Sequence, residues 1–270
     1  APFTSKPGPE DVPGTALIVW VLKGETSLKV PGEQYSMHAP PGPAYFRWDN
    51  LSGAGAGPKR RDKLPSWAEA NAEESSKNQP LLAALEQQRR RLGEKSVHAV
   101  LVADLDGGDS ASRRLAVYGL AALGDLPRTV QSLGDPKHPE VREAAFDALR
   151  HWIGRGGGGN LALYHFLINR RKFTPSQAEI ILQFLQGFSD RDRMQPETYE
   201  TMIAYLQSGK LAIRQLAKWQ LDQWVPEGGK KIAYDPAGPQ SERDRAYEEW
   251  KKLVPRGQLP PKPKAEGKKT

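Results

Sequence analysis

The chain has 270 residues, no cysteine, 38% apolar residues and a formal net charge of +7. Without thiols, disulfides, thiolate zinc sites, iron–sulfur clusters and a cysteine nucleophile are excluded. Residues 251–270 hold seven Lys and Arg against one Glu, a net of +6 that leaves +1 for the rest of the chain; the basic balance describes a tail and not a body.

Residues 1–14 are polar, rich in Pro and Gly, and read as a flexible lead-in. The chain opens Ala1-Pro2-Phe3 without Met or a visible signal peptide, as a processed form or a piece of something longer would. Residues 15–50 form a small antiparallel β segment. Strands are expected at Thr15–Leu22, Ser27–Val30, Tyr35–His38 and Tyr45–Trp48, with a turn at Lys23-Gly24-Glu25. The run Ala16–Leu22 is the longest apolar stretch and falls far short of the roughly 20 residues that span a bilayer, so no transmembrane segment is expected. Residues 51–64 read as a linker by composition.

From residue 65 to 253 the period is helical, and residues 254–270 read as a disordered basic tail. Pro80–Leu92 is expected as an amphipathic helix, with Pro80 in its first turn and Leu81, Leu82, Leu85 and Leu92 on one broad face. Gly124, Gly134, Gly154 and Gly187 mark helix ends, and prolines 127, 139, 175 and 196 mark starts. Helices are expected at Leu161–Asn169, Pro175–Gly187 and Pro196–Gln207. A last one, Gln240–Leu253, carries Tyr247 and Trp250.

An internal repeat is the most informative pattern. Residues 112–123 (SRRLAVYGLAAL), 141–152 (VREAAFDALRHW) and 213–224 (IRQLAKWQLDQW) align. Arg113, Arg142 and Arg214 coincide, as do Ala116, Ala145 and Ala217, then Leu120, Leu149 and Leu221, and finally the bulky Leu123, Trp152 and Trp224. Ala, Leu four residues on and a bulky residue seven on share a helix face. The small Ala admits a neighbouring helix, while Leu and Trp fill the space beyond it. The offset between the second and third copies is wide enough for a divergent unit in between.

The run Asp135-Pro136-Lys137-His138-Pro139-Glu140-Val141-Arg142, continuing to Leu149, resembles the second helix of a HEAT-like, armadillo-type repeat. The resemblance implies a mainly α fold: a right-handed array of antiparallel helix pairs that binds proteins or, less often, nucleic acids. It also implies that Asp135 and Arg142 knit neighbouring repeats together and are structural. Residues 15–50 are weakly similar to the closing strands of FecR-type or cupin-like β-domains. FecR-type domains lie on the outer side of bacterial membranes, which tilts the expected compartment toward the envelope or periplasmic side.

Motifs that would carry chemistry fail on inspection. Asp104–Asp109 looks like a calcium loop, but loop position 12 would be Leu115 and not Glu; a polar interhelical loop with Ser110 or Ser112 capping the next helix is the expected reading. Gly154–Asn160 is glycine-rich, lacks the Lys-Ser/Thr of a phosphate loop and reads as a connector. His38, His98, His138, His151 and His165 have no ligand spacing, and there is no nucleophile elbow. The pairs Glu73-Glu74 and Glu248-Glu249 read as solvated. No cofactor, metal or catalytic residue is expected.

Trp152 and Trp224 are expected in the core. Trp219 lies one residue off the stripe and is open to a partner. Arg155 and the run Arg170-Arg171-Lys172 are candidate binding residues, although a helix C-terminus is reason enough for the run. The leading expectation is a non-catalytic protein–protein interaction scaffold whose protein partner is unidentified. The alternatives are a nucleic-acid-binding helical array that uses the basic runs, and an envelope-associated sensor or regulatory module.

Overall fold

The computed structural model describes residues 16–30, 32–39, 43–49, 55–60, 72–92, 95–155, 158–254 and 259–260. The chain is mainly helical, with a small antiparallel β segment near its N-terminus, and divides into two compact units at Leu82/Ala83.

The strands of the first unit are β1 (Ala16–Val21), β2 (Gly24–Val30), β3 (Glu33–Ala39), β4 (Ala44–Asp49) and β5 (Gly55–Arg60). β1, β4 and β5 make one antiparallel sheet, in the order β1-β4-β5; β2 and β3 make a separate hairpin. The hairpin turns where Val30 pairs Glu33, with Gly32 at φ +82°, a conformation that strains any side chain with a Cβ. Alternation puts Val21, Val30, Met37, Ala39, Ala44 and Phe46 inside, with the Tyr35 ring 4.9 Å from that of Phe46. Two expectations are corrected. β2 begins at Gly24, inside the expected turn. The expected linker 51–64 contains β5, which pairs Trp48 with Gly55 and Tyr45 with Lys59 around a bulge. Its Gly-Ala-Gly-Pro stretch has no apolar alternation, so backbone hydrogen bonds to β4, and not side chains, hold it in register. The lead-in 1–14 and residues 51–54 and 61–64 lie outside the described residues.

The helices are α1 (Ala72–Arg91), α2 (Val97–Gly107), α3 (Ser110–Ala122), α4 (Leu126–Ser132), α5 (Pro139–Ile153), α6 (Gly159–Asn169), α7 (Pro175–Gln186), α8 (Asp190–Arg193), α9 (Pro196–Tyr205), α10 (Leu211–Trp224), α11 (Pro226–Lys231) and α12 (Gln240–Lys251). Pro139, Pro175 and Pro196 occupy first helical positions, where the missing N–H has no helical acceptor anyway. Gly154 and Gly187 close α5 and α7. Asp109 caps α3 by accepting from the Ser112 N–H, in place of the serines expected to do so. Asp125 caps α4, and Thr174 with Gln177 forms a capping box on α7. Among the described residues no helix is long and apolar enough to cross a membrane.

α1 departs from expectation twice. Pro80 lies inside it, and the buried face is Ala84 and Gln88, while Leu82, Leu85 and Leu92 are exposed. A carboxylate selects that face. Asp104 of α2 is buried and accepts from Gln88 Nε2 at 2.8 Å and from the Arg91 guanidinium at 2.6 Å. A buried charge must be paired, so α1 presents these polar residues inward and turns its leucines out.

Ala116, Ala145, Ala217, Leu120, Leu149 and Leu221 are all fully buried. The third stripe position is corrected: Leu123 is exposed, and Trp152 and Trp224 are only half-buried. Leu123 follows the last helical residue of α3, so it has left the face. At the end of α5 it is Ile153, beside Trp152, that is buried. α5 meets α10 directly, with the Phe146 and Trp219 rings 4.1 Å apart, and α7 packs on both α5 and α10. The expected disordered tail is corrected at Leu259, which is 3% exposed and belongs to the helical core; residues 255–258 and 261–270 lie outside the described residues.

Candidate functional site

The repeated arginines act alike. Arg113 donates to the Gly108 carbonyl in the loop before its own helix, and through Nε to Glu140 of α5 at 2.7 Å. Arg142 donates to the Asp135 carbonyl at 2.9 Å, and through Nε to Gln215 of α10 at 2.7 Å. Arg214 donates to the Ser208 carbonyl at 2.6 Å, and through Nε to the Pro236 carbonyl before α12 at 2.7 Å. Each planar fork ties its own preceding loop to a later segment of the chain, Arg113 to α5, Arg142 to α10 and Arg214 to the turn before α12, a task that needs several donors at fixed angles.

A fourth copy escaped the sequence reading. Arg243 donates to the Gly238 carbonyl at 2.9 Å, and Ala246 and Trp250 follow at the Ala and Leu positions, both buried. Trp in place of Leu hid it. Burial and the nearby Arg243 and Arg142 charges push the Arg214 pKa down. Burial likewise pushes the Tyr234 hydroxyl, which donates to the Leu206 carbonyl, well above its ordinary value. Asp135 accepts from the backbone N–H groups of Lys137 and His138, each at 2.7 Å. It thus shapes the turn that Arg142 grips.

At the other end of α5 and α10 lies an open cleft of about 330 Å³. Its walls come from the C-terminal half of α5, the loop from Gly187 to α8, and the last turns of α10. Trp219 packs at a tilt against Phe146, and the Arg150 guanidinium carbon lies 5.8 Å from the Trp219 ring centroid and 5.4 Å from that of Phe146. The Arg193 guanidinium carbon lies 5.3 Å from the Trp224 centroid, and Phe188 packs edge-on against Trp224 at 5.2 Å. Both arginines are exposed and both tryptophans half-buried. The cleft is thus a mixed surface in which two cations lie over ring faces and Gln220 and Gln223 add polar edges.

The expected site residues are not gathered there. Only Trp219 is part of the cleft. Arg155 is spent on capping, donating to the Ala121 and Ala122 carbonyls at the end of α3, each at 3.3 Å. Arg170, Arg171 and Lys172 are exposed on the turn after α6, with Lys172 at φ +56°. The same turn carries Phe173, whose ring lies 4.9 Å from the ammonium of Lys210 at the start of α10, the far end from the cleft. Arg155 precedes α6 and Arg170 follows it, so about 16 Å of helix separates them. The Gly154–Asn160 connector is shorter than expected: α6 begins at Gly159, Asn160 is buried, and residues 156 and 157 lie outside the described set. Asp104 is a buried residue of α2 and not part of a loop.

Sequence reasoning missed Arg150, Arg193, Phe188 and Gln223. Arg150 could have been found as the residue four on from Phe146. Arg193 comes from a four-residue helix with no periodicity to read. A larger cavity of about 740 Å³ lies between α11 and α12. Lys231, Arg245 and Lys252 on its rim are balanced by Glu227, Glu242 and Glu249, and Leu259 of the same chain lines it. It has no net charge to select a ligand. The arginine–tryptophan cleft is smaller but chemically committed. Among the described residues no three His, Asp or Glu side chains gather as a metal would require. No protein-family profile matches the chain, and neither a curated protein nor a solved structure matches it.

Proposed function

We propose that the chain is a non-catalytic protein-interaction scaffold, built as a HEAT-like array of helix pairs, with the Arg150–Trp219–Trp224–Arg193 cleft as its contact surface. The carrying observation is the pairing of the two kinds of site on the same helices. Buried arginines at the N-terminal turns of α5 and α10 tie those helices into the unit, and exposed arginines and half-buried rings present a concave face at their other ends. Arg and Trp in a pre-formed, partly desolvated concavity are the residues that dominate protein–protein affinity. The recurrence of the arginine supports the array: Arg113, Arg142 and Arg214 each grip the preceding loop and reach a later segment, and Arg243 repeats the loop contact.

The test is affinity capture with cross-linking from native cells, comparing the wild type with Trp219→Ala. A protein enriched by the wild type and lost with the variant is expected. No enrichment above a bait-free control, or enrichment unchanged by the variant, removes the reading. The exposed Arg170, Arg171 and Lys172 beside Lys210 favour a second reading, a nucleic-acid-binding array. Phosphate contact by such a run makes binding fall steeply with salt, so a labelled-strand titration between low and physiological salt tests it, and no binding at low salt ends it.

A further inference from the structure

We infer that the cleft receives an acidic peptide segment in which carboxylates flank an apolar or aromatic side chain; this rests on the scaffold reading and gives its partner a chemistry. A guanidinium held over a ring face is attracted by the ring's quadrupole and spends none of its N–H donors on a hydrogen bond there. Among the described residues no carboxylate lies within ion-pair range of Arg150, and Arg193 has only the fully exposed Asp190, at 4.0 Å. The contrast with Arg142 and Arg214, whose donors are met by fixed acceptors, is sharp. Carboxylate is the planar acceptor that matches such a fork in bidentate fashion. The rings of Trp219, Trp224 and Phe188 supply the apolar part of a lining that Gln220 and Gln223 share. A cleft of about 330 Å³ takes a few side chains and lies at the small end for a cofactor. Phosphate would satisfy the same forks, but nucleic-acid affinity comes from many cations tracking a backbone. The Arg170–Lys172 run sits by the opposite end of α10 and does not extend the cleft.

The experiment uses the full chain and three labelled probes: a peptide with a Glu-Leu-Glu core, its Gln-Leu-Gln isostere, and a short oligouridine. Fluorescence anisotropy reads affinity, and tryptophan emission reads the cleft. The Glu peptide is expected to bind at least about tenfold tighter than the Gln peptide at low salt and to change tryptophan emission. The Arg150→Gln/Arg193→Gln double variant is expected to lose that preference with its circular dichroism unchanged, and Arg150→Lys to recover part of it. Equal affinity for the two peptides, no binding by the wild type, or tighter binding of oligouridine that the double variant abolishes would each overturn the inference. If the double variant still captures the wild-type partner from cells, the acidic assignment falls and the scaffold reading stands. If the Glu peptide binds as expected but no partner is ever captured, the scaffold reading falls alone.

Discussion

α5 and α10 each carry two chemistries at their two ends. At the N-terminal ends Arg142 and Arg214, 3% and 7% exposed, have their donors met by loop carbonyls and by Gln215. At the C-terminal ends Arg150 lies over Trp219 and Arg193 from α8 over Trp224, and both arginines are exposed. The same residue type is therefore a buried brace in one place and an exposed cation over aromatic rings in the other. Position along the helix decides which. An arginine in the first turn lies beside the carbonyls of the preceding loop. Arg150, in the last turn of α5, lies instead over the Phe146 and Trp219 rings. Burial with every donor met stabilises; exposure over an aromatic face leaves a cation available.

The comparison breaks most visibly at the brace. Arg142→Ala removes a buried guanidinium and strands Gln215 Oε1 and the Asp135 carbonyl, besides releasing Asp235. Hydrogen bonds to a charged group count for more than neutral ones, and unmet acceptors add to the loss, so a cost of about 3–5 kcal/mol is expected in urea unfolding. A loss under about 1 kcal/mol would show that the brace carries no load.

Trp219→Ala comes next. The ring is half-buried and packed at a tilt against Phe146, so the loss is expected below that of a fully buried aromatic, at about 2 kcal/mol. Its effect on partner capture should be far larger than its effect on stability. The reverse ordering would make Trp219 a core residue that happens to show one edge.

Acid should loosen the caps of α3 and α4 and the turn before α5. Hydrogen bonding to Ser112 lowers the Asp109 pKa. At Asp125 and Asp135 burial alone would raise the carboxyl. At Asp125 the His98 ring, the Arg128 N–H and the Arg128 guanidinium together outweigh it, and at Asp135 the Lys137 and His138 N–H groups and the His138 ring do so. All three therefore release their protons more readily folded than unfolded. Their contribution is complete above the ordinary carboxylate value near 4 and is lost as pH falls below it through the lowered folded values. Helicity followed from pH 6 to pH 2 should decline in that window, and Asp125→Asn should blunt the decline. A loss centred above pH 5 would point to histidine instead.

Much of the helical unit was legible because its punctuation is local. Pro139 opens a helix through its own missing N–H, and Gly187 closes one at φ +94°. The Arg, Ala and Leu of the repeat were legible because three copies imposed the same burial at the same spacing. What failed depended on partners far along the chain. Nothing near Leu82 and Leu85 announces that Asp104 will turn Gln88 and Arg91 inward. β5 has no pattern of its own and exists through pairing with β4. The cleft was legible only through Trp219, because it joins residues from α5, α8 and α10 that share no period.

The smallest expected effect is also the sharpest test. Arg150→Gln and Arg193→Gln each remove an exposed cation stacked on an aromatic ring, a contact that contributes about 0.5–1 kcal/mol at solvent-exposed sites. Neither leaves a buried acceptor unmet, and glutamine keeps part of the apolar stem over the ring. Each variant should therefore unfold within about 1 kcal/mol of the wild type. If Arg150→Gln cost as much as Arg142→Ala, the exposed row would be a second brace, and its freedom to meet a ligand would be lost along with the distinction between the two ends of α5.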